Sequence, residues 1–199
     1  MPRPILALLP VLALAACGGG GTSGQTGFDA AAIQDPIFST AQTERTSTIA
    51  GGIAVDGGGG VAFSTTIDRR QGVLFATDLA PRTRALDAPA SGAATMTGTY
   101  ALSQATGVAQ DDQGRWSGTL NTAEGDITLR AAFGKGTLTG GGDGLTVDGT
   151  ITDGRLGGTV GFDGVTGTLD GIVGSRSAIG LFAGSGDGAG YAGGFVAAK

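Results

Sequence analysis

The chain has no histidine, and Cys17 is its single cysteine among 199 residues. Without histidine it cannot form a Ser-His-Asp triad, a Cys-His dyad or a histidine-ligated zinc or haem site. The Asp-Thr-Gly and Asp-Ser-Gly sequences of aspartic proteases are absent as well. Because these routes to catalysis are closed, the sequence predicts a protein that is not an enzyme and that carries no cofactor or metal.

Charged and aromatic residues are also scarce, at 15% and 6% of the chain. The net charge of −5, with its basic residues dispersed, argues against nucleic-acid binding and against electrostatic docking to anionic lipid. Glycine is abundant instead: the chain has 41 glycines, about three times the usual fraction of roughly 7%. These glycines follow no strict Gly-X-Y period, which excludes collagen, and the composition gives long helices little support.

The first residues have the pattern of an export signal. Arg3 supplies one positive charge, an apolar run extends from Ile5 to Leu14, and small residues follow. This pattern predicts a secretory signal peptide over residues 1–16, whose apolar stretch is too short to span a bilayer.

The cysteine stands directly after this segment, in the sequence Leu-Ala-Ala-Cys at 14–17. That sequence resembles the lipobox of bacterial lipoproteins, which implies that Cys17 is acylated and that its acyl chains hold the protein to a membrane. Gly18 rather than aspartate follows, which in Gram-negative lipoproteins implies the outer membrane. The alternative is an ordinary secreted protein with a free thiol.

The next segment predicts a spacer. Residues 17–27 read CGGGGTSGQTG, a composition typical of a tether, and we assign residues 17–45 to a lipidated Gly-rich tether and linker. One helical turn is expected around residues 29–33, because Pro36 prevents a longer helix.

From there on, apolar and polar residues alternate with a period of two. Val61, Phe63 and Ile67 share one face of a predicted strand, and Ile127 and Leu129 share a face of another. Short strands separated by turn signals predict an antiparallel all-β meander. The turn signals are Asp112-Gln113-Gly114, Glu124-Gly125, Asp143-Gly144, Asp153-Gly154, Asp163-Gly164 and Asp187-Gly188.

The faces of these strands favour a soluble barrel or sandwich. Bulky apolar residues share the inward face and Thr, Asp, Arg and Ser the outward face, which is the reverse of a transmembrane barrel. The inward positions also include Gly149, Gly158 and Gly167, and small residues among large ones suit a narrow, strongly coiled barrel.

Three segments of the second half of the chain carry recognisable motifs. They are a Thr-rich segment ending in Gly-x-Tyr (95–100), a strand pair (127–133 and 137–140), and a C-terminal hairpin in which a Gly-x-Phe-x-Gly-like strand (179–184) meets a closing Gly-Gly-x-Phe strand (190–196). In this order they resemble the barrel domain of the transferrin-binding protein B family. The chain departs from the family between these last two strands, where residues 185–189 replace a longer turn that often carries an acidic residue.

The resemblance implies an all-β fold: an eight-stranded antiparallel barrel over residues 94–199, with a small β-rich handle over residues 46–93. It also implies capture of an iron source or another protein ligand. The hairpins of this chain are short, and the transferrin-contacting loops of the family have no counterpart in them. Transferrin binding is therefore not part of the prediction.

Two glycine-rich motifs are better explained as turns. Residues 188–193 spell Gly-x-Gly-x-x-Gly, but a dinucleotide site needs this motif between a strand and a helix of a βαβ unit. Residues 140–148 are similar to a calcium-binding nonapeptide, but no second copy follows in register. We interpret both as hairpin segments.

Four groups of side chains are candidate sites, and we assign structural roles to them. Four aspartates are expected on outward strand faces or in turns. Two tyrosines and a methionine are the conceivable axial ligands of a haem, but each lies in a strand-like run where core packing or a barrel-end hydrogen bond is the ordinary role. One tryptophan is expected in the core. The only basic clusters flank turns and predict solvated edges, with a protein-contact patch as the alternative. The residues are Asp148, Asp153, Asp163 and Asp170; Tyr100, Tyr191 and Met96; Trp116; and Arg69, Arg70, Arg82 and Arg84.

Together these patterns predict an outer-membrane lipoprotein, anchored at Cys17, whose non-catalytic barrel binds a protein ligand. The alternative is a structural or adaptor lipoprotein that faces the periplasm. A hydrolase is disfavoured because the sequence offers no nucleophile–base pair.

Overall fold

The computed structural model describes residues 27–84 and 86–199. The predicted signal peptide, Cys17 and the first part of the predicted tether lie outside these residues. The described chain is almost entirely β-structure, with two short 3-10 helices at Ala30–Ala32 and Phe133–Lys135. The first of these is the helical turn that the sequence predicts before Pro36.

Twelve strands follow one another along the chain. They are β1 (Ile37–Gln42), β2 (Thr46–Val55), β3 (Gly59–Asp68), β4 (Gly72–Leu79), β5 (Ala93–Gln110), β6 (Trp116–Ala132), β7 (Thr137–Gly142), β8 (Leu145–Thr152), β9 (Arg155–Phe162), β10 (Val165–Val173), β11 (Ser177–Gly186) and β12 (Ala189–Ala198).

These strands form two bodies of β-structure. β1 to β4 form a four-stranded antiparallel sheet in sequential order, and β5 to β12 form a closed eight-stranded barrel in which β12 pairs with β5. Every neighbouring pair in the barrel is antiparallel. The predicted eight-stranded barrel and N-terminal β-rich handle are confirmed. The domain boundaries stay predictions; the sheet strands lie between residues 37 and 79 and the barrel strands between 93 and 198.

Three Asp-Gly pairs form the tight hairpins of the barrel. Asp143, Asp153 and Asp163 have φ values of 46°, 51° and 48°, and the glycine after each also has positive φ. Two successive residues with positive φ define the type I′ turn, whose twist matches that of the strands it joins. The turn signals at these positions were therefore interpreted correctly.

The turn predicted at Glu124-Gly125 is wrong, because β6 continues through both residues. Gly125 pairs with Tyr100 on β5. A Cβ at this position would lie 2.9 Å from the Tyr100 ring and 2.6 Å from the Asp143 carboxylate. The glycine therefore permits close approach inside a strand and does not reverse the chain.

The apolar faces of the barrel strands form its interior. Ile127, Leu129, Val147 and Leu169 are buried as the alternation predicts, and their outward neighbours are exposed. Gly149 and Gly167 are buried as well. Gly158 is exposed, but it pairs with the buried Gly149 and Leu169 and lies in phase with the buried Leu156 and Val160.

A second core joins the sheet to the outside of the barrel. Ile53, Val61 and Phe63 from the sheet pack against small and β-branched residues on the outer face of the barrel. As a result β12 is buried on both faces over almost its whole length. The barrel residues in this contact are Ala101, Ile179, Ala192 and Val196.

Candidate functional site

Aromatic side chains pack against one another inside the barrel. The Phe162 ring lies 6.4 Å from that of Tyr100 and 5.9 Å from that of Tyr191, and Phe182 lies 5.9 Å from Tyr191, all edge to face. Such edge-to-face contacts stabilise a packed core beyond its buried area. The barrel interior around these four rings is occupied by the protein's own side chains.

Both phenols are engaged in hydrogen bonds to carbonyl groups. The Tyr100 hydroxyl donates to the Asp143 carbonyl at 2.8 Å, and the Tyr191 hydroxyl donates to the Val160 carbonyl at 2.8 Å. Burial raises the pKa of Tyr191 to about 12 and raises that of Tyr100, where the charge of Asp143 adds to the effect. A phenol held neutral and already donating is a poor metal ligand, so these residues have the barrel-end hydrogen-bonding role that the sequence assigns them.

The third residue weighed as a ligand, Met96, is fully buried in the same core cluster. Among residues 27–84 and 86–199, every buried side-chain nitrogen or oxygen has a hydrogen-bond partner. In the described part of the chain, the buried polar side-chain atoms of the core are therefore paired within the protein.

We expect Tyr191→Phe to lower the free energy of unfolding by about 1–2 kcal/mol, because it removes a buried hydrogen bond while keeping the ring. Urea unfolding followed by circular dichroism measures the change. Tyr100→Phe is the companion variant; its hydroxyl is only partly buried, so we expect a smaller loss. Equal stability of Tyr191→Phe and the wild type would contradict this role.

The four weighed aspartates are exposed and are not brought together. Asp148 and Asp170 lie on the outer faces of β8 and β10, with β9 between these strands. Asp153 and Asp163 occupy the turns at the two ends of β9, and so lie at opposite ends of the barrel. No group of three or more acidic or cysteine side chains within the described part of the chain is placed to hold a metal ion.

The two ends of the barrel differ in what they carry. Residues 28 and 29 contact the barrel at the start of β11, where the Phe28 amide donates to the Ser177 hydroxyl at 3.3 Å and Asp29 pairs with Arg176. The β8–β9 turn lies at this end, which we call the entry end. The opposite end, the hairpin end, carries the turns at Asp143-Gly144, Asp163-Gly164 and Asp187-Gly188 together with the β5–β6 turn.

The Arg69-Arg70 cluster lies in the β3–β4 turn beside the hairpin end. The Asp68 carboxylate accepts hydrogen bonds from the Arg70 and Gln71 amides at 2.7 and 2.9 Å, and these bonds lower its pKa. Arg69 donates its amide to the Arg45 carbonyl, at 3.0 Å. The carboxylate thus shapes this turn, and the cluster has the turn-flanking position that the sequence predicts.

Trp116 does not lie in the core, and its predicted role there is wrong. It is half-buried at the start of β6 and lies beside the β3–β4 turn. Its amide donates to the Arg69 carbonyl in that turn, at 2.9 Å. A Cβ on Gly72 would touch the indole ring at 3.4 Å. The tryptophan therefore joins the sheet to the barrel from outside, a tertiary contact that local alternation cannot predict.

The second basic cluster, Arg82 and Arg84, lies after β4 at the entry end. Both side chains line a cavity of about 530 Å³ together with Phe28, Asp56 and Ile179. Both are exposed, as the prediction of a solvated edge requires.

The residues that dock the sheet on the barrel were not identified from the sequence. The available signal is the continuous run of small and apolar residues in β12, Ala189 to Ala198, where an exposed outer face would alternate with polar residues. Within residues 27–84 and 86–199, no helix is long and apolar enough to cross a membrane.

No protein-family profile and no curated protein matches the chain. Several solved structures are similar to parts of this chain at low identity. A transferrin-binding protein B double mutant from Haemophilus parasuis has 15% identity over 82% of this chain and 36% of its own, with a TM-score of 0.48. Intact Ap-TbpB (N and C lobes) has 12% identity over 82% of this chain and 38% of its own, with a TM-score of 0.49.

The haemoglobin receptor HpuA from Kingella denitrificans, solved in complex with human haemoglobin, is similar as well. It has 15% identity over 79% of this chain and 69% of its own, with a TM-score of 0.36. The chain spans little more than a third of the length of the transferrin-binding protein B chains above.

Proposed function

We propose that the protein is a lipoprotein of the outer membrane that binds a protein ligand on its outer surface and does not act as an enzyme. The observation that carries this proposal is the filled barrel interior. Five of its large side chains are completely buried: Met96, Leu102, Leu129, Tyr191 and Phe195. A barrel packed in this way leaves its outer surface as the place for recognition.

The organisation of the two barrel ends supports an anchored binding protein. The chain reaches the barrel at the entry end, so an anchor at Cys17 would leave the hairpin end directed away from the membrane. The Gly-rich composition of residues 17–27 suits a spacer between the acyl groups and the barrel. Capture of an iron source is the specific form of this function that the sequence resemblance implies.

The anchor makes a direct prediction. Cys17→Ala removes the only thiol that can be acylated, so the variant is expected to incorporate no labelled palmitate and to leave the membrane fraction. Fractionation and labelling of cells that express each form measure both effects. A Cys17→Ala protein that stays in the membrane fraction would contradict the lipid anchor.

Binding is tested on intact cells that express the wild-type chain. The cells are incubated with serum and washed, and the retained proteins are compared by mass spectrometry with those on cells expressing Cys17→Ala at equal level. We expect one or a few serum proteins to be enriched on the wild-type cells. If no protein is enriched, the capture function is wrong and the periplasmic structural or adaptor role becomes the better account.

A further inference from the structure

The edge strand β4 leaves a row of main-chain groups without partners in the sheet. β4 pairs with β3 on one side and is the last strand of the sheet. The Ala80 amide donates to the Gly60 carbonyl at 3.0 Å, which continues the β3–β4 ladder. Hydrogen-bonded pairs alternate in an antiparallel ladder, so the odd-numbered residues direct their N–H and C=O groups to the free edge. They are Val73, Phe75, Thr77 and Leu79.

This edge also has little of the usual protection against strand pairing. Natural edge strands are commonly blocked by charged side chains, proline or a bulge. β4 reads GVLFATDL, contains no proline, has Asp78 as its single charged residue, and pairs with β3 in unbroken register from Gly72 to Leu79. The strand is therefore regular enough to accept another strand.

A groove runs along the free edge, between β4 and the outer face of β10 and β11. It consists of three adjoining cavities of about 410, 320 and 480 Å³. The first two share Thr168 and Ala183, and the last two share Leu79, Asp170 and Leu181. Since neighbouring cavities share lining residues, they form one elongated channel that follows the strand direction.

The charges along the groove specify its occupant. Asp78 and Asp170 both line the central cavity, and neither forms an ion pair with any described residue. Arg84 and Arg155 line the cavity at the entry end, beside Asp153. A complementary segment carries a basic residue at its centre and an acidic residue towards the entry end.

We infer that this groove binds an extended segment of a protein partner, which adds to β4 as a fifth strand of the sheet. Main-chain hydrogen bonds to the odd-numbered residues of β4 hold the segment, and a lysine or arginine between Asp78 and Asp170 sets its register. The inference rests on the proposed protein-binding function and names the surface and the partner chemistry. The other edge strand, β1, has no charged residue between Ile37 and Gln42 that would select such a partner.

Two variants separate recognition by main-chain hydrogen bonds from recognition by charge. Thr77→Pro removes one outward N–H and leaves the β3–β4 ladder intact, since proline is tolerated where the N–H of an edge strand faces solvent. Asp78→Lys combined with Asp170→Lys reverses the charge of the central cavity. Asp148→Lys is the matched control, because Asp148 is an exposed strand aspartate on β8 that lines none of the three cavities.

The probe is a display library of random linear peptides, selected on the full wild-type chain. We expect the enriched peptides to be rich in β-branched residues with a central lysine or arginine. Their affinity should fall about tenfold or more in Thr77→Pro and in the double charge variant, and stay unchanged in Asp148→Lys. Bound peptide should also slow amide hydrogen exchange at residues 73, 75, 77 and 79.

Three results with the purified chain would overturn the inference. The first is selected peptides that bind equally well to wild type and Thr77→Pro. The second is exchange protection that falls on the hairpin end and spares β4. The third is concentration-dependent self-association of the wild type that Thr77→Pro abolishes, which would assign the groove to a second copy of the chain.

The intact-cell assay distinguishes failure of this inference from failure of the proposed function. A serum protein that is retained equally by wild type and by the groove variants overturns only the assignment of the binding site to the groove. If no serum protein is retained, the capture function itself is overturned.

Discussion

Replacing Gly98 with alanine is expected to lower the free energy of unfolding by about 3 kcal/mol, because the added methyl group would meet backbone atoms. Gly98 lies on β5 and pairs with Ala197 of β12. A Cβ at this position would lie 2.0 Å from the Val196 carbonyl oxygen and 2.6 Å from the Ala197 Cα. Neither atom can rotate away as a side chain does, so the β5–β12 pairing that closes the barrel would have to shift.

Gly157→Ala is the matched control for this substitution. Gly157 lies on β9 of the same barrel, is exposed, and has no atom within 4 Å of the position that a Cβ would occupy. Alanine there lowers the entropy of the unfolded chain, so we expect unchanged stability or a gain of about 0.4–1 kcal/mol. Urea denaturation of both variants gives the comparison. Similar stability of the two variants would contradict the close β5–β12 contact.

The second large effect is expected from Phe63→Ala, which removes the central aromatic side chain between the sheet and the barrel. Phe63 is 3% exposed, and its ring lies 6.1 Å from that of Phe38, edge to face. Truncation of a buried phenylalanine to alanine usually costs about 3–5 kcal/mol, because a cavity is left behind. We expect a loss in this range.

The single tryptophan makes this loss measurable at the contact itself. Trp116 belongs to β6 and packs beside Gly72 of the sheet, so its fluorescence responds when the sheet separates from the barrel. In Phe63→Ala we expect the fluorescence transition to move to lower urea concentration. Leu74→Ala is the control, since Leu74 is 44% exposed and should lose less than about 1 kcal/mol. Equal midpoints for both variants would contradict the second core.

The barrel could be predicted from the sequence because its rules are local. Apolar and polar residues alternate over β8 and β10, and Asp-Gly pairs at 143–144, 153–154 and 163–164 adopt the positive φ values that a two-residue hairpin requires. Glu124-Gly125 shows the limit of the same argument. Its glycine serves close packing against Tyr100, and composition alone cannot distinguish that role from a turn.

The contact between the sheet and the barrel could not be predicted, because it joins residues that are far apart in the sequence. Ile53 and Val61 pack against Ala192 and Val196 on the outer face of β12. Alternation within one strand does not indicate which outer faces another part of the chain will cover. For the same reason, Trp116 was assigned to the core, although it packs beside the β3–β4 turn.

Among the candidate sites, the roles of single residues within strands could be predicted from the sequence, and a surface built from distant segments could not. The roles of Tyr100 and Tyr191 followed from their place in strands, and the exposure of Asp148 and Asp170 followed from the outward phase. The groove along β4 could not be found from the sequence, because Asp78 and Asp170 become neighbours only when the sheet docks beside β10 and β11. Long-range packing creates this surface.

The proposal that an anchored barrel presents its outer surface to ligands outside the cell is tested most directly by protease treatment of intact cells. A periplasmic protein serves as the control for leakage. The account predicts that the protein is degraded while the periplasmic control stays intact. Protection until the outer membrane is permeabilised would contradict surface capture, and would favour a structural or adaptor lipoprotein that faces the periplasm.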